Sequence, residues 1–295
     1  MQDRARRGFP AFAFARAVLF SALLLTTTVL LPLGARAQNA QPPQQAGQNS
    51  QGVPGLRPNV PAHRAPSGPA PVKDINGVWA GTAAPRVNPP PPMTPAGQAA
   101  FKANKPFFGP DLVPVANSND PMIHCDPIGF PRDVLFEIRG IKFVQIPTET
   151  LQLNQYQRTW REIWTDGRAL PTGVGGDAPD APDPRYYGYS IGHWDGDYTF
   201  VINTVGMDER AWLDENGHVK SGDAKVEERY QRLDHDTLEY TVTVDDPKMY
   251  TQPYNAMKFD LQWNPKGEFE EQLCIPTEMD AYMKIIGNPA GGQKK

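Results

Sequence analysis

The fold turns on the stretch Gly188–Val205, GYSIGHWDGDYTFVINTV. Its first five residues fit G-x-S-x-G, the sharp turn that presents a nucleophilic serine between a strand and a helix. The residues after that match are not helical. Asp195-Gly196 is a strong hairpin signal, and Tyr198-Thr199-Phe200-Val201-Ile202 is aromatic and β-branched. The segment therefore predicts two antiparallel strands, with Ser190 inside the first. A loop centred on Asp195-Gly196 pairs His193 with Tyr198, Ile191 with Phe200 and Tyr189 with Ile202. Those six residues share the apolar face, which should turn inward. Ser190 then points away from the core, and His193 points into it near the rim.

The same reading extends along the chain. Alternating apolar runs predict strands over 134–138, 141–146, 151–156, 159–165, 189–194, 198–204, 225–233, 237–244, 255–263 and 268–274. Turn-forming clusters at Thr165-Asp166-Gly167-Arg168, Asp234-His235-Asp236 and Asn264-Pro265-Lys266-Gly267 separate them. A short strand in DINGVWAG, from Asp74, precedes them. Thr94-Pro95 predicts an N-cap and first helical residue, opening a helix over about Ala96–Asn104. The expected class is mainly β, an antiparallel barrel with one short N-terminal helix; a β-sandwich is the alternative. Gly77-Val78-Trp79 fits the G-x-W pattern with which lipocalin-like (calycin-like) barrels plug one end, and favours the barrel. Gly173–Pro184, rich in Pro, Asp and Gly, reads as a long rim loop.

Arg4, Arg6 and Arg7, the apolar run Ala17–Leu33 and the small-x-small site Ala35-Arg36-Ala37 predict a signal peptide, residues 1–37, cleaved after Ala37. Residues 38–73, dominated by Gln, Pro, Ala and Gly, read as a disordered tether, and 74–295 as a single β-rich domain. The expected location is periplasmic or secreted. No other apolar run approaches the length of a membrane span. Cleavage removes five arginines and one aspartate, taking the net charge from −4 to −8. That balance argues against nucleic acid as a partner. The two cysteines, Cys125 and Cys274, predict one disulfide in an oxidising compartment. The alternatives are two free thiols, or a nucleophilic Cys125 beside His124.

For the strands 225–233 and 237–244, a three-residue loop at Asp234-His235-Asp236 buries the most apolar surface. It pairs Val226 with Val244 and Tyr230 with Tyr240, and it carries Glu228 and Arg232 inward. Glu271, between Phe269 and Leu273, would also face in. His193, Glu228 and Glu271 thus form a candidate catalytic set, able to move a proton or orient a ligand inside a pocket. An internal salt bridge is the alternative reading of the same charges. Tyr189, Tyr198, Phe200, Tyr230 and Tyr240 are candidate ligand contacts. Arg132, Asp166 and Arg168 could form a mixed-charge mouth at the rim. The histidines show no close-spaced pair, and Asp177, Asp180 and Asp183 lack the Gly and terminal Glu of a calcium loop, so no metal or cofactor is expected. The Gly-rich run at Gly173 precedes prolines rather than a helix, so it offers no phosphate cradle.

NDPMIHCDPIGFPR, IWTDGRALP, GYSIGHWDGDYTFVINTVG, DHDTLEYTVTVDDPKMYTQP and EEQLC together resemble a family of secreted bacterial proteins with no assigned activity. The resemblance covers about Asn76–Cys274. It implies a β-rich fold and export, and it brings no catalytic residues. The function expected is binding of a small lipophilic or aromatic molecule. The alternatives are an isomerase, lyase or hydrolase using a His–carboxylate pair inside the barrel, and a structural envelope protein with a filled core.

Overall fold

Nine strands follow one another around a closed barrel, and the first closes the ring against the ninth. They are β1 Gly77–Gly81, β2 Ile141–Ile146, β3 Glu149–Asn154, β4 Trp160–Trp164 and β5 Tyr189–Asp195, then β6 Thr199–Val205, β7 Lys225–Arg232, β8 Thr237–Asp245 and β9 Tyr254–Trp263. The computed structural model describes residues 66–81, 87–136 and 139–292, all within one unit of the chain. The expected signal peptide, its expected cleavage site and most of the segment read as a tether lie outside the described residues. Among those described, no helix is long and apolar enough to cross a membrane.

The barrel is mixed rather than wholly antiparallel. All neighbours pair antiparallel except β4 and β5, which run parallel. A parallel neighbour needs a long return path, and Thr165–Gly188 supplies it. The parallel contact is short, limited to Ile163 opposite Ser190 and Trp164 opposite Ile191. The strands diverge from there, so among the described residues the edge of β4 from Trp160 to Glu162 has no strand partner on that side.

Side chains fill the lumen. Trp79, Phe143, Phe200, Tyr230, Leu238, Tyr240 and Val242 belong to one buried cluster. The β7–β8 register is the expected one: Val226 lies opposite Val244, Glu228 opposite Val242, Tyr230 opposite Tyr240 and Arg232 opposite Leu238. Trp79 is fully buried and donates from Nε1 to the Ile75 carbonyl at 2.9 Å. The Arg232 guanidinium lies over its ring at 4.6 Å and donates to the Asp74, Asp234 and His235 carbonyls. Residues 67–73, read as tether in the sequence, also strap this end: Ser67 N donates to Asp236 Oδ2 and Lys73 N to the Asp197 carbonyl, each at 2.7 Å.

The β5–β6 register corrects the sequence reading. Gly196-Asp197-Tyr198 forms the turn, with Gly196 at φ +70°. Trp194 therefore faces Phe200, and His193 faces Val201. The offset from the expected pairing is odd, so every side chain of β5 changes face. Ser190, Gly192 and Trp194 point in, while Tyr189, Ile191 and His193 point out. Counting apolar residues misled because two of the three inward positions of β5, Ser190 and Gly192, are small and not recognisably apolar. A Cβ on Gly192 would sit 2.5 Å from Phe200 Cζ and 2.8 Å from Ile163 Cγ2. The large side chains filling this layer come from the neighbouring strands.

Helix α1, Pro95–Ala103, is capped by the Thr94 hydroxyl, which accepts from Gly97 N at 3.1 Å. The strand expected from Val134 is instead a short helix, α2, Arg132–Phe136. Val134 N and Leu135 N donate to the Pro131 carbonyl, and both side chains are buried. A brief apolar run suits a buried helical turn as well as a strand. Residues 268–274 form no strand; they run as irregular chain from β9 to the disulfide. Cys125 and Cys274 are bonded, closing a loop with a sequence separation of 149. The helix α3, Pro276–Tyr282, comes next with proline in its first turn and was not anticipated from the sequence.

Candidate functional site

Two neighbouring features meet at the β4–β5 seam: a polar chain inside the barrel and a cleft outside it. The inner chain begins at Glu228 on β7, which is fully buried. Tyr240 Oη donates to its Oε1 at 2.6 Å and Tyr230 Oη at 3.2 Å, and the two rings stack at 4.2 Å. Arg161, inward on β4, crosses the lumen and donates from Nη2 to Glu228 Oε2 at 2.5 Å and to Gln152 Oε1 at 2.6 Å. The Phe130 ring lies 3.9 Å from that guanidinium. Gln152 Nε2 donates to Asn154 Oδ1, and Asn154 Nδ2 donates to Asp133 Oδ2 at 3.0 Å.

These groups share one dry environment, and their proton affinities follow from it. Burial works against charge on Arg161, but the carboxylates of Glu228 and Asp133 outweigh it and hold the guanidinium charged. Burial raises the hydroxyls of Tyr230 and Tyr240 well above the ordinary range, with Glu228 adding to the effect. Asp133, in the first turn of α2, is pushed up to about 7. Burial is the main cause, opposed by Arg161 and reinforced by Glu228. The interior therefore holds a compensated ion pair beside a carboxyl that titrates near neutrality.

The cleft has a volume of about 780 Å³. Trp160 and Trp164, on the outer face of β4, form one wall. Tyr186, Tyr187 and Tyr189, leading into β5, form another, and Arg168–Pro171 contributes a third. Because the strands diverge, Arg161 and Ser190 line the cleft from the barrel side. Trp160 is 58 % exposed, an unusual fraction for so large an apolar surface. Arg168 lies over the Trp164 ring at 3.5 Å and pairs with Asp166 through two nitrogens. Arg185 lies over the Tyr189 ring at 4.2 Å. Tyr189 Oη donates to the Asp183 carbonyl at 2.8 Å, fixing that ring against the long loop.

The residues singled out in the sequence separate into four places. Glu228, Tyr230, Tyr240 and Phe200 lie in the filled lumen. Tyr189 and Arg168 line the cleft, and Asp166 holds Arg168 in place. His193 is exposed on the outer face of β5, Tyr198 is exposed in the β5–β6 turn, and Glu271 is exposed beyond β9. The expected meeting of His193, Glu228 and Glu271 therefore does not occur. The odd register shift carries His193 outside, and residues 268–274 have no strand to turn Glu271 inward. Arg132 is buried and does not line the cleft with Arg168: its Nη1 and Nη2 donate to the two Asp120 oxygens at 2.8 and 2.6 Å. The Arg132–Asp166–Arg168 mouth is not assembled.

Ser190 is inward and buried, a reversal of its expected direction, and its hydroxyl hydrogen-bonds Thr204 Oγ1 at 2.9 Å. It lies within a strand and not at an elbow. Arg161, Gln152, Asn154 and Asp133 were missed. Polar residues at alternate positions of 149–154 (Thr150, Gln152, Asn154) were available as a signal, but alternation alone reads as a solvated face, and Arg161 stands beside Glu162 with no alternation to mark it. Among the described residues no group of three or more His, Cys, Asp or Glu side chains could hold a metal. Comparison of the chain with family models, curated proteins and solved structures finds no match.

Proposed function

We propose that this is an exported binding protein for a small aromatic molecule, which it holds in the β4–β5 cleft and not inside the barrel. The observation that carries the reading is the cleft itself. It is of the size of small-molecule sites and walled by several aromatic rings, with Trp160 left open to solvent. Some of these rings are held in advance of any ligand. Arg168 covers one side of Trp164, and Tyr189 is tied to the long loop, so a flat guest would meet ordered faces. The packed lumen removes the space in which a ligand would otherwise be sought. Export rests on the N-terminal leader, with which the Cys125–Cys274 bridge is compatible.

The test is a fluorescence titration of the mature protein with aromatic probes, paired with extraction of small molecules that co-purify with it. Binding should quench the cleft tryptophans, and Trp164→Ala should weaken it about tenfold or more. Absence of quenching by every probe, or a Trp164→Ala variant that binds as the parent does, would overturn the reading. A second reading, a structural envelope protein, is favoured by the filled lumen alone. It predicts no bound small molecule.

A further inference from the structure

The open edge of β4 has a definite chemistry. At the two ends of the β3–β4 ladder, Asn154 N donates to the Thr159 carbonyl at 2.8 Å and Thr165 N to the Thr148 carbonyl at 2.9 Å. Main-chain groups alternate in direction along a strand, so the N–H and C=O of Thr159, Arg161 and Ile163 serve β3. Those of Trp160, Glu162 and Trp164 point the other way, toward β5. The pairing with β5 reaches only Ile163 and Trp164. Trp160 lies before it, and the Trp160 N–H and C=O have no hydrogen-bond partner among the described residues.

That pair of groups borders the cleft. Trp160, Arg161 and Glu162 form one bank, and Arg185–Ile191 the other. Arg161 is 3 % exposed as a residue but 1 % in its side chain, so it meets the cleft through its main chain. An unpaired strand edge is a template for another extended chain. A residue lying antiparallel opposite Trp160 would exchange two hydrogen bonds with it, N–H to C=O in each direction. The side chains of such a pair stand on the same face of the sheet. The guest side chain would therefore lie on the outer face beside the exposed Trp160 ring, which Trp164 shares. An aromatic side chain suits that place.

We propose that the aromatic ligand of this cleft is a short peptide whose aromatic residue pairs main chain to main chain with Trp160. The inference rests on the cleft being the ligand site, and the two can fail separately. The experiment is calorimetric titration of the mature protein with N-acetyl-L-phenylalaninamide and with its analogue methylated on the phenylalanine nitrogen. Methylation keeps the ring and both carbonyls but removes the N–H that the Trp160 carbonyl would accept. It should weaken binding about tenfold.

Two substitutions separate ring from backbone. Trp160→Ala removes the ring and keeps both main-chain groups, so it should weaken both probes and preserve their ratio. Trp160→Pro also removes the N–H, at the first residue of the strand, where proline is tolerated. It should bind N-acetyl-L-phenylalaninamide about threefold or more weakly than Trp160→Ala does. If the proline variant does not fold, the methylated probe decides alone. Equal binding of the two probes to the parent or to Trp160→Ala, or equal binding by folded alanine and proline variants, overturns the peptide inference and leaves the aromatic cleft standing. Silence from both probes while plain aromatic probes quench the cleft tryptophans does the same. Silence from all of them overturns the cleft reading and this inference with it.

Discussion

Replacing Asp133 with asparagine tests whether the barrel interior is as dry as its packing indicates. In the folded chain the Asp133 carboxyl is raised from its ordinary 3.8 to about 7, chiefly by burial. Between those values the folded protein keeps a proton that the unfolded chain has released. Stability from this group is therefore fully present below about pH 4 and is lost as pH rises through about 7. Over the accessible window from about pH 5 to about pH 8, single-site linkage amounts to about 2.5 kcal/mol. An asparagine at this position cannot ionise, yet its carbonyl oxygen can still accept the hydrogen bond that Asn154 Nδ2 gives to Oδ2. The assay is urea unfolding of both proteins across that window with the disulfide intact, read as the difference in unfolding free energy at each pH. Asp208 and Asp236, whose carboxyls are lowered by hydrogen bonds from Arg210 and His235 respectively, are present in both proteins and cancel in the difference. The Asp133→Asn variant should gain about 2.5 kcal/mol on the parent between the two ends of the window. A difference that stays flat with pH would refute the reasoning, because Asp133 would then keep its ordinary affinity and the interior would be wet.

Other outcomes rest on the geometry of the barrel and its disulfide. Gly192→Ala should destabilise the barrel by about 1–3 kcal/mol in denaturant unfolding, because its Cβ meets the Phe200 ring, which cannot move aside without disturbing the core. His193→Ala should leave stability within about 0.5 kcal/mol of the parent and leave probe binding unchanged, since the side chain lies outside both lumen and cleft. A clear loss of either would restore the inward placement of His193. Reducing the Cys125–Cys274 bridge should cost about 5 kcal/mol by the loop-entropy relation, measured as the shift in unfolding free energy with and without reductant.

How much could be read without the structure differs strand by strand. At β7–β8, large apolar residues alternate on both strands, so one register buried much more than its neighbours and the pairing was legible to the residue. At β5–β6 the inner face carries Ser190 and Gly192, and the space is taken by Phe200 and Ile163 from neighbouring strands. A local count of apolar residues then favours the wrong face, and an odd shift carries His193 from inside to outside. Val134–Phe136 shows a different limit: a few apolar residues in a row satisfy a strand or a buried helical turn equally well.

Local sequence was enough to establish a β-rich chain with its hairpin turns, one capped helix, a cysteine pair able to bridge, and an inward Glu228. These depend on turn chemistry, alternation and charge, which act over a few residues. The three-dimensional arrangement alone settled that β4 and β5 run parallel and separate, that the lumen is filled, and that Arg161 reaches Glu228 from within on a strand whose outer face walls an aromatic cleft. Those features depend on which distant strands become neighbours and how much volume each gives the other. No short window of sequence carries that information.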